Sequence, residues 1–129
     1  MPHPNEDVIR RGYEAFSTGD MDTLRELFEP DIVWHVPGRN AISGDHRGPD
    51  AVIGFLGKTF EITSGTFQAD LHDVTANDEH AVALHVARGQ SQGKTLEDKN
   101  VVAFHVRDGK IVEAWHYFED QYVNDEFWV

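Results

Sequence analysis

Cysteine is absent from all 129 residues. That excludes disulfides, thiolate nucleophiles and cysteine-ligated metals, and it fits a reducing compartment such as the cytoplasm. No apolar run approaches the roughly 20 residues that a membrane-spanning helix needs. The opening MPHPNED has no basic segment leading into an apolar one, so no secretory signal is expected. Positive charge is scarce: 11 Lys and Arg against 23 Asp and Glu leave a formal charge of −12. Nucleic acids and anionic membranes reward clustered Lys and Arg, so neither is an expected partner. Metal and cofactor signatures are missing too. There is no His-x-His, no HExxH, no calcium loop, no G-x-S-x-G and no dinucleotide fingerprint. The GKT triplets at Gly57–Thr59 and Gly93–Thr95 lack the upstream glycine of a phosphate loop. A cofactor-free, metal-free protein is the expectation.

What is present suits one globular domain spanning 1–129, at 40% hydrophobic and 26% charged residues. Asn5 reads as an N-cap, Ile9, Tyr13 and Phe16 recur at helical spacing, and Gly19 suits the helix end. Asp20 can cap a short second helix that Pro30 stops. Asp31–Val36 (DIVWHV) reads as a strand with Ile32, Trp34 and Val36 on one face and Val33 and His35 on the other. A turn-rich loop carrying His46 and Arg47 follows. Pro49 then opens a helix with Val52, Phe55, Leu56, Thr59 and Phe60 on one face. From Thr66 the period falls to about two, predicting strands near 66–75, 80–88, 95–106 and 110–119. Helices first and then an antiparallel meander predict an α+β fold with helices on one face of a curved sheet.

The final strand, within KIVEAWHYFEDQY, is apolar or aromatic on both alternating faces. Register decides where His116 points. A two-residue loop at Asp108-Gly109 sets His116 opposite Val101, whereas a type I turn with a glycine bulge sets it opposite Asn100. The second is preferred because it gathers Asn100, Val102, Phe104, Val112, Ala114, His116 and Phe118 on one face, as a pocket wall requires.

The motifs YEAFSTGDMDTLRELF, DIVWHVPGRN, GPDAVIGFL, VRDGKIVEAW and DQYVNDEFW, in that order, resemble the nuclear transport factor 2-like superfamily, and within it the SnoaL-like polyketide cyclase branch. The resemblance implies a cone of curved sheet closed by three helices. It also implies a pocket against the concave face and a homodimer through the convex one. Ketosteroid isomerase, whose acid and base are tuned by their surroundings, belongs to the same superfamily. Its base, its oxyanion-hole tyrosine and its protonated aspartate match His35, Gly12 (with Tyr13 one residue out of phase) and Val102. None is retained in kind, so that isomerisation is not expected. In SnoaL-like cyclases an aspartate near the last strand is the proposed acid/base, and Asp120 is the nearest candidate.

The expected site is therefore an apolar pocket with few polar groups. His35 and His116 are candidate base and acid, with Asp120 a third catalytic candidate. Asn100, Val102, Phe104, Ala114, Phe118, Leu84, Val86, Arg88, Phe55, Leu56, Phe60 and Gly12 are the expected substrate contacts, with Arg88 near the rim. Each polar candidate also has a plainer reading: a histidine bonded to backbone, a solvated carboxylate at a strand end, or an exposed arginine. His3, His72, His80, His85 and His105 are read as exposed or as dimer contacts. The expected function is cofactor-independent acid/base chemistry of cyclase, isomerase or dehydratase type on a small hydrophobic carbonyl compound. A non-catalytic binding or dimerisation module is the alternative. Epoxide hydrolysis by an activated water, through an Asp–Arg–Asp arrangement, is a third possibility.

Overall fold

Local signals in the chain set most element boundaries. The computed structural model describes residues 3–129. Helix α1 (Pro4–Thr18) turns Val8, Ile9, Gly12, Ala15 and Phe16 inward. Its N-cap is His3 rather than Asn5, because Pro4 takes the first helical position, where a missing N–H costs nothing. Gly19, at φ 74°, ends it in the left-handed region that glycine enters without penalty. The Asp20 carboxylate accepts from the Thr23 N–H and starts α2 (Met21–Leu27).

Strand β1 (Phe28–Val36) begins three residues before the expected Asp31. Pro30 therefore lies inside it, in the stretch between Phe28 and Val33 where pairing with the neighbouring strand is irregular and a missing N–H is tolerated. A short β2 (Gly44–Arg47) precedes α3 (Pro49–Ile62). Strands β3 (Gln68–Ala76), β4 (His80–Ser91), β5 (Lys94–Arg107) and β6 (Lys110–Phe118) complete the meander, and α4 (Gln121–Phe127) closes the chain. The expected GQSQGK loop is mostly strand, turning only at Gln92-Gly93. The fold is α+β, with one six-stranded sheet in the order β2-β1-β6-β5-β4-β3. Among the described residues only the β1–β6 pair is parallel. Helices α1 and α3 lie against its inner face, α1 on β3 and β4 and α3 on β1 and β2.

Helix α4 was not expected. Asp120 caps it, accepting from the Val123 N–H, and it carries Phe127 and Trp128 into the core. No helix among the described residues is long and apolar enough to cross a membrane.

The last hairpin corrects one expectation and keeps another. Asp108 (φ 53°) and Gly109 (φ 75°) form a two-residue loop between the paired Arg107 and Lys110, as a type I′ turn requires. The glycine-bulge turn does not form. A bulge sits further along instead, at Val112, between the pairs Val106↔Ile111 and His105↔Glu113. His116 consequently faces Val102, neither Val101 nor Asn100. The extra residue restores the expected face for Asn100, Val102, Phe104, Ala114, His116 and Phe118, while Ile111 replaces Val112 on it. On β4 the inner face belongs to the small residues Ala81, Ala83 and Ala87 together with His85, all buried. Leu84, Val86 and Arg88 point outward, contrary to expectation, because alternation places them opposite in phase to those residues.

Candidate active site

Between the inner sheet face and the helices lies a cavity of about 80 Å³. Its wall is aromatic and aliphatic, with Phe16, Phe28, Phe55, Phe67, Phe104 and Phe118 contributing. The polar lining groups are Tyr13, Thr59, His85, Asn100, His116 and Asn124, with the two indoles of Trp34 and Trp128. No Asp, Glu, Lys or Arg is among the lining residues. Three buried polar side-chain atoms have no hydrogen-bond partner among the described residues: Trp34 Nε1, His85 Nε2 and His116 Nδ1. All three belong to residues that line this cavity. Buried polar atoms are nearly always paired, so these three are exceptions to the rule.

Hydrogen-bond direction assigns the proton on each histidine. The Tyr13 hydroxyl and His85 Nδ1 are 2.5 Å apart. Burial raises the Tyr13 pKa far above the usual phenol value, so the hydroxyl keeps its proton and donates it to Nδ1. The His85 proton is then on Nε2, an unused donor. A second chain begins at Trp128, whose Nε1–H can only donate, here to Asn124 Oδ1 at 3.2 Å. The Asn124 amide group therefore faces Asp98 Oδ2 (2.9 Å), and that of Asn100 faces the same oxygen (3.0 Å). The backbone N–H of Asp120 reaches Asp98 Oδ1 at 3.2 Å. Asp98 thus accepts from three donors as a carboxylate, although burial pushes its pKa up. Asn100 is left presenting Oδ1 to His116 Nε2 at 2.8 Å. That nitrogen carries the proton, so His116 Nδ1 is a bare lone pair.

The two rings meet edge to face with centroids 5.7 Å apart. Burial lowers the His116 pKa to about 3, with His85 adding to the shift. His85 falls to about 4, again chiefly by burial, which Asn100 and the Asp70 charge offset only in part. Both are neutral at ordinary pH. One histidine offers an acceptor and the other a donor, the complementary pair that proton abstraction beside a carbonyl uses.

The structure gathers some of the expected residues and separates others. Asn100, Val102, Phe104, Phe118, Phe55, Leu56, Gly12 and His116 line the cavity. Ala114 is fully buried next to it, and Phe60 stacks on Phe16 (4.7 Å) as part of the surrounding core. His35 is elsewhere. Trp34 and Val36 take the inner positions of β1, so His35 faces outward, bonded to Asp45 (2.7 Å) and Glu113 (2.5 Å) and stacked on Trp115. Glu113 foremost, with Asp45, raises its pKa. His35 and His116 lie on opposite sheet faces, and the expected two-histidine pairing does not form. Asp120 is spent on capping α4 and does not line the cavity. Arg88 sits outside, paired with Asp70 at 2.9 Å and with Glu97, so that acid–arginine cluster is not in the pocket. His46 bonds the Ile42 carbonyl and stacks on Phe55, while Arg47 is exposed.

Sequence reasoning missed Tyr13, Trp34, His85, Asp98 and Asn124 as site residues. One signal was available. The alternation Ala81, Ala83, His85, Ala87, Gly89 puts one histidine on a face of small residues, which is what a face closely covered by helices needs.

The fold is therefore α+β, with an apolar cavity between helices and sheet. The SnoaL-like domain profile matches residues 9–114, and the chain belongs to that family. An uncharacterized protein of Mycobacterium tuberculosis is 33% identical over 123 residues, covering 95% of this chain and 94% of its own. Bal32a, from a soil-derived mobile gene cassette, superposes with a TM-score of 0.94 at 38% identity, over 98% of this chain and 97% of its own. IdmH, a putative polyketide cyclase from Streptomyces antibioticus, gives a TM-score of 0.76 at 31% identity, over 91% and 93%.

Proposed function

We propose that the protein is a cofactor-independent acid/base enzyme of cyclase, isomerase or dehydratase type acting on a small, hydrophobic carbonyl compound. The observation that carries this is the pair of unpartnered nitrogens, His116 Nδ1 and His85 Nε2–H, on two residues that line one apolar cavity. His116 Nδ1 takes the proton from a carbon next to the carbonyl. The C–H electron pair moves into the enolate, and its oxygen accepts from His85 Nε2–H, which Tyr13 holds in place. Returning that proton from His116 to another carbon isomerises the substrate; giving it to the alkoxide formed when the enolate attacks a second carbonyl completes a cyclisation; giving it to a β-hydroxyl that departs as water completes a dehydration. The test is deuterium uptake by small enolisable ketones such as cyclopentanone in D2O, followed by NMR. His116→Ala and His85→Ala should each lower the rate about a hundredfold or more, the range of a positioned acid or base. His35→Ala should leave it unchanged. Full exchange in His116→Ala would remove that residue as the base.

A second reading has its own support. Burial makes His116 a weak base, with a pKa of about 3, and that suits a binder that never turns its ligand over. Binding without exchange would favour it.

The reading extends to a partner. Leu84, Val101 and Tyr117 stand in register across β4, β5 and β6 and are 40%, 36% and 54% exposed on the outer face. Trp115 lies in the next row. This band is the surface on which a second copy docks to form the homodimer.

A further inference from the structure

The hydrogen-bond chain behind His116 is anchored by two groups whose direction nothing can reverse. The Trp128 indole can only donate, and so can the backbone N–H of Asp120. Between these anchors stands Asp98, which is buried but does not line the cavity. Its Oδ2 accepts from Asn124 at 2.9 Å and from Asn100 at 3.0 Å, and its Oδ1 from the Asp120 N–H at 3.2 Å. The oxygen and nitrogen of an asparagine amide are nearly alike in shape, so hydrogen bonds rather than packing choose between its two orientations. For Asn100 the choice reaches the site, because its other end meets His116 Nε2 at 2.8 Å. With its oxygen offered there, Nδ1 is bare. With its NH2 offered there, the proton would shift to Nδ1, and the same ring would face the cavity as a donor.

We infer that Asp98 is a positioning residue of this site: by holding the Asn100 amide it fixes His116 as an acceptor toward the cavity, without itself touching what binds there. This rests on the acid/base reading above and adds to it a residue from outside the cavity wall. The N–H of Asp120, the amide of Asn124 and the indole of Trp128 all come from α4 and its two caps. The closing helix therefore takes part, with β5 and β6, in deciding which His116 nitrogen can accept a proton. His85 supplies an internal control, since its tautomer is set from α1 by the Tyr13 hydroxyl at 2.5 Å.

The test reads the ring nitrogens of His116 and His85 by nitrogen NMR at neutral pH, where protonated and bare nitrogens of an imidazole resonate far apart. In the unaltered protein His116 should carry its proton on Nε2 alone. Asp98→Leu takes the acceptor from Asn100, so both His116 tautomers should appear while His85 keeps its proton on Nε2. Asp98→Asn should restore the single His116 tautomer, because a carbonyl oxygen in place of Oδ2 keeps both amide bonds and gives up only the 3.2 Å one. In the cyclopentanone exchange assay, kcat of Asp98→Leu should fall in proportion to the fraction of His116 still bare at Nδ1, with KM unchanged. A single Nε2-protonated His116 in Asp98→Leu would overturn the inference, leaving Asp98 a structural residue only. A proton on His116 Nδ1 in the unaltered protein would overturn it as well, and that measurement stands even if Asp98→Leu fails to fold. The expected tautomers without any exchange in the unaltered protein would instead remove the acid/base reading and leave Asp98 setting the polarity of a binding site.

Discussion

Acid should destabilise this protein well before its carboxylates are protonated, and two residues account for it. His85 and His116 titrate at about 4 and about 3 in the fold, against about 6.5 in an unfolded chain. Both folded values are depressed, so below pH 6.5 the unfolded chain binds protons that the folded one refuses. Stability then falls as the pH drops through that value, and levels off only once the folded pKa values are reached. Each histidine contributes about 1.4 kcal/mol per pH unit in this window. Over about two units the pair costs on the order of 5 kcal/mol, comparable with the whole stability of a small domain. Urea unfolding followed by tryptophan fluorescence, from about pH 4.5 to about pH 8, measures the slope. His116→Gln and His85→Gln keep a polar side chain that cannot titrate, and each should remove about one histidine's share. His35 behaves oppositely: its raised pKa adds stability present below the unfolded value and lost as the pH rises through the folded one. His35→Gln should therefore leave the acid-side slope intact. The same slope in the unaltered protein and in both buried-histidine variants would refute the reasoning.

Other outcomes follow from the same contacts. Asp98→Leu strips the acceptor from Asn100, Asn124 and the Asp120 N–H, and should cost about 3 kcal/mol in a thermal or urea melt. Gly38 has φ 97°, and a Cβ there would meet the side chains of Gln121 and Asp125. Gly38→Ala should therefore lower stability by about 1–3 kcal/mol, read by the same melts. Tyr117→Glu puts a charge in the middle of the exposed outer band; if that band carries the proposed homodimer, the unaltered chain should run as a dimer in sedimentation velocity and the variant as a monomer.

Much of the fold was legible because its signals are local. Gly19, Asp20 and Pro49 stop, cap and start helices through the chemistry of one or two neighbouring residues. The change to a period of two after Thr66 marks strands wherever they go. Asp108-Gly109 announced a hairpin, but Asn100 shares a face with His116 and Phe118 only through the bulge at Val112, which no turn signal marked. The sequence did not show which face was inner on β1 and β4. Both faces of those strands carry apolar residues, and alternation has a period but no sign. The sign comes from what packs above: α1 lies close over β4, so alanines and His85 turn inward, while the bulkier Leu84 and Val86 turn out. The match to the ketosteroid isomerase base implied His35 in the pocket, where Trp34 stands instead.

The site's chemistry is further still from any local signal. Residues 98, 100, 116, 124 and 128 form one directed hydrogen-bond chain only after β5, β6 and α4 are assembled. Likewise Tyr13 meets His85 across 72 positions of sequence. By itself the sequence determined the α+β class, the family and most elements, because propensity and periodicity act within a few residues. Tertiary structure alone decided which histidines share the cavity, which nitrogen of each carries a proton and how far burial shifts them. Those properties depend on groups distant in the chain and on the exclusion of water, and neither exists until the fold closes.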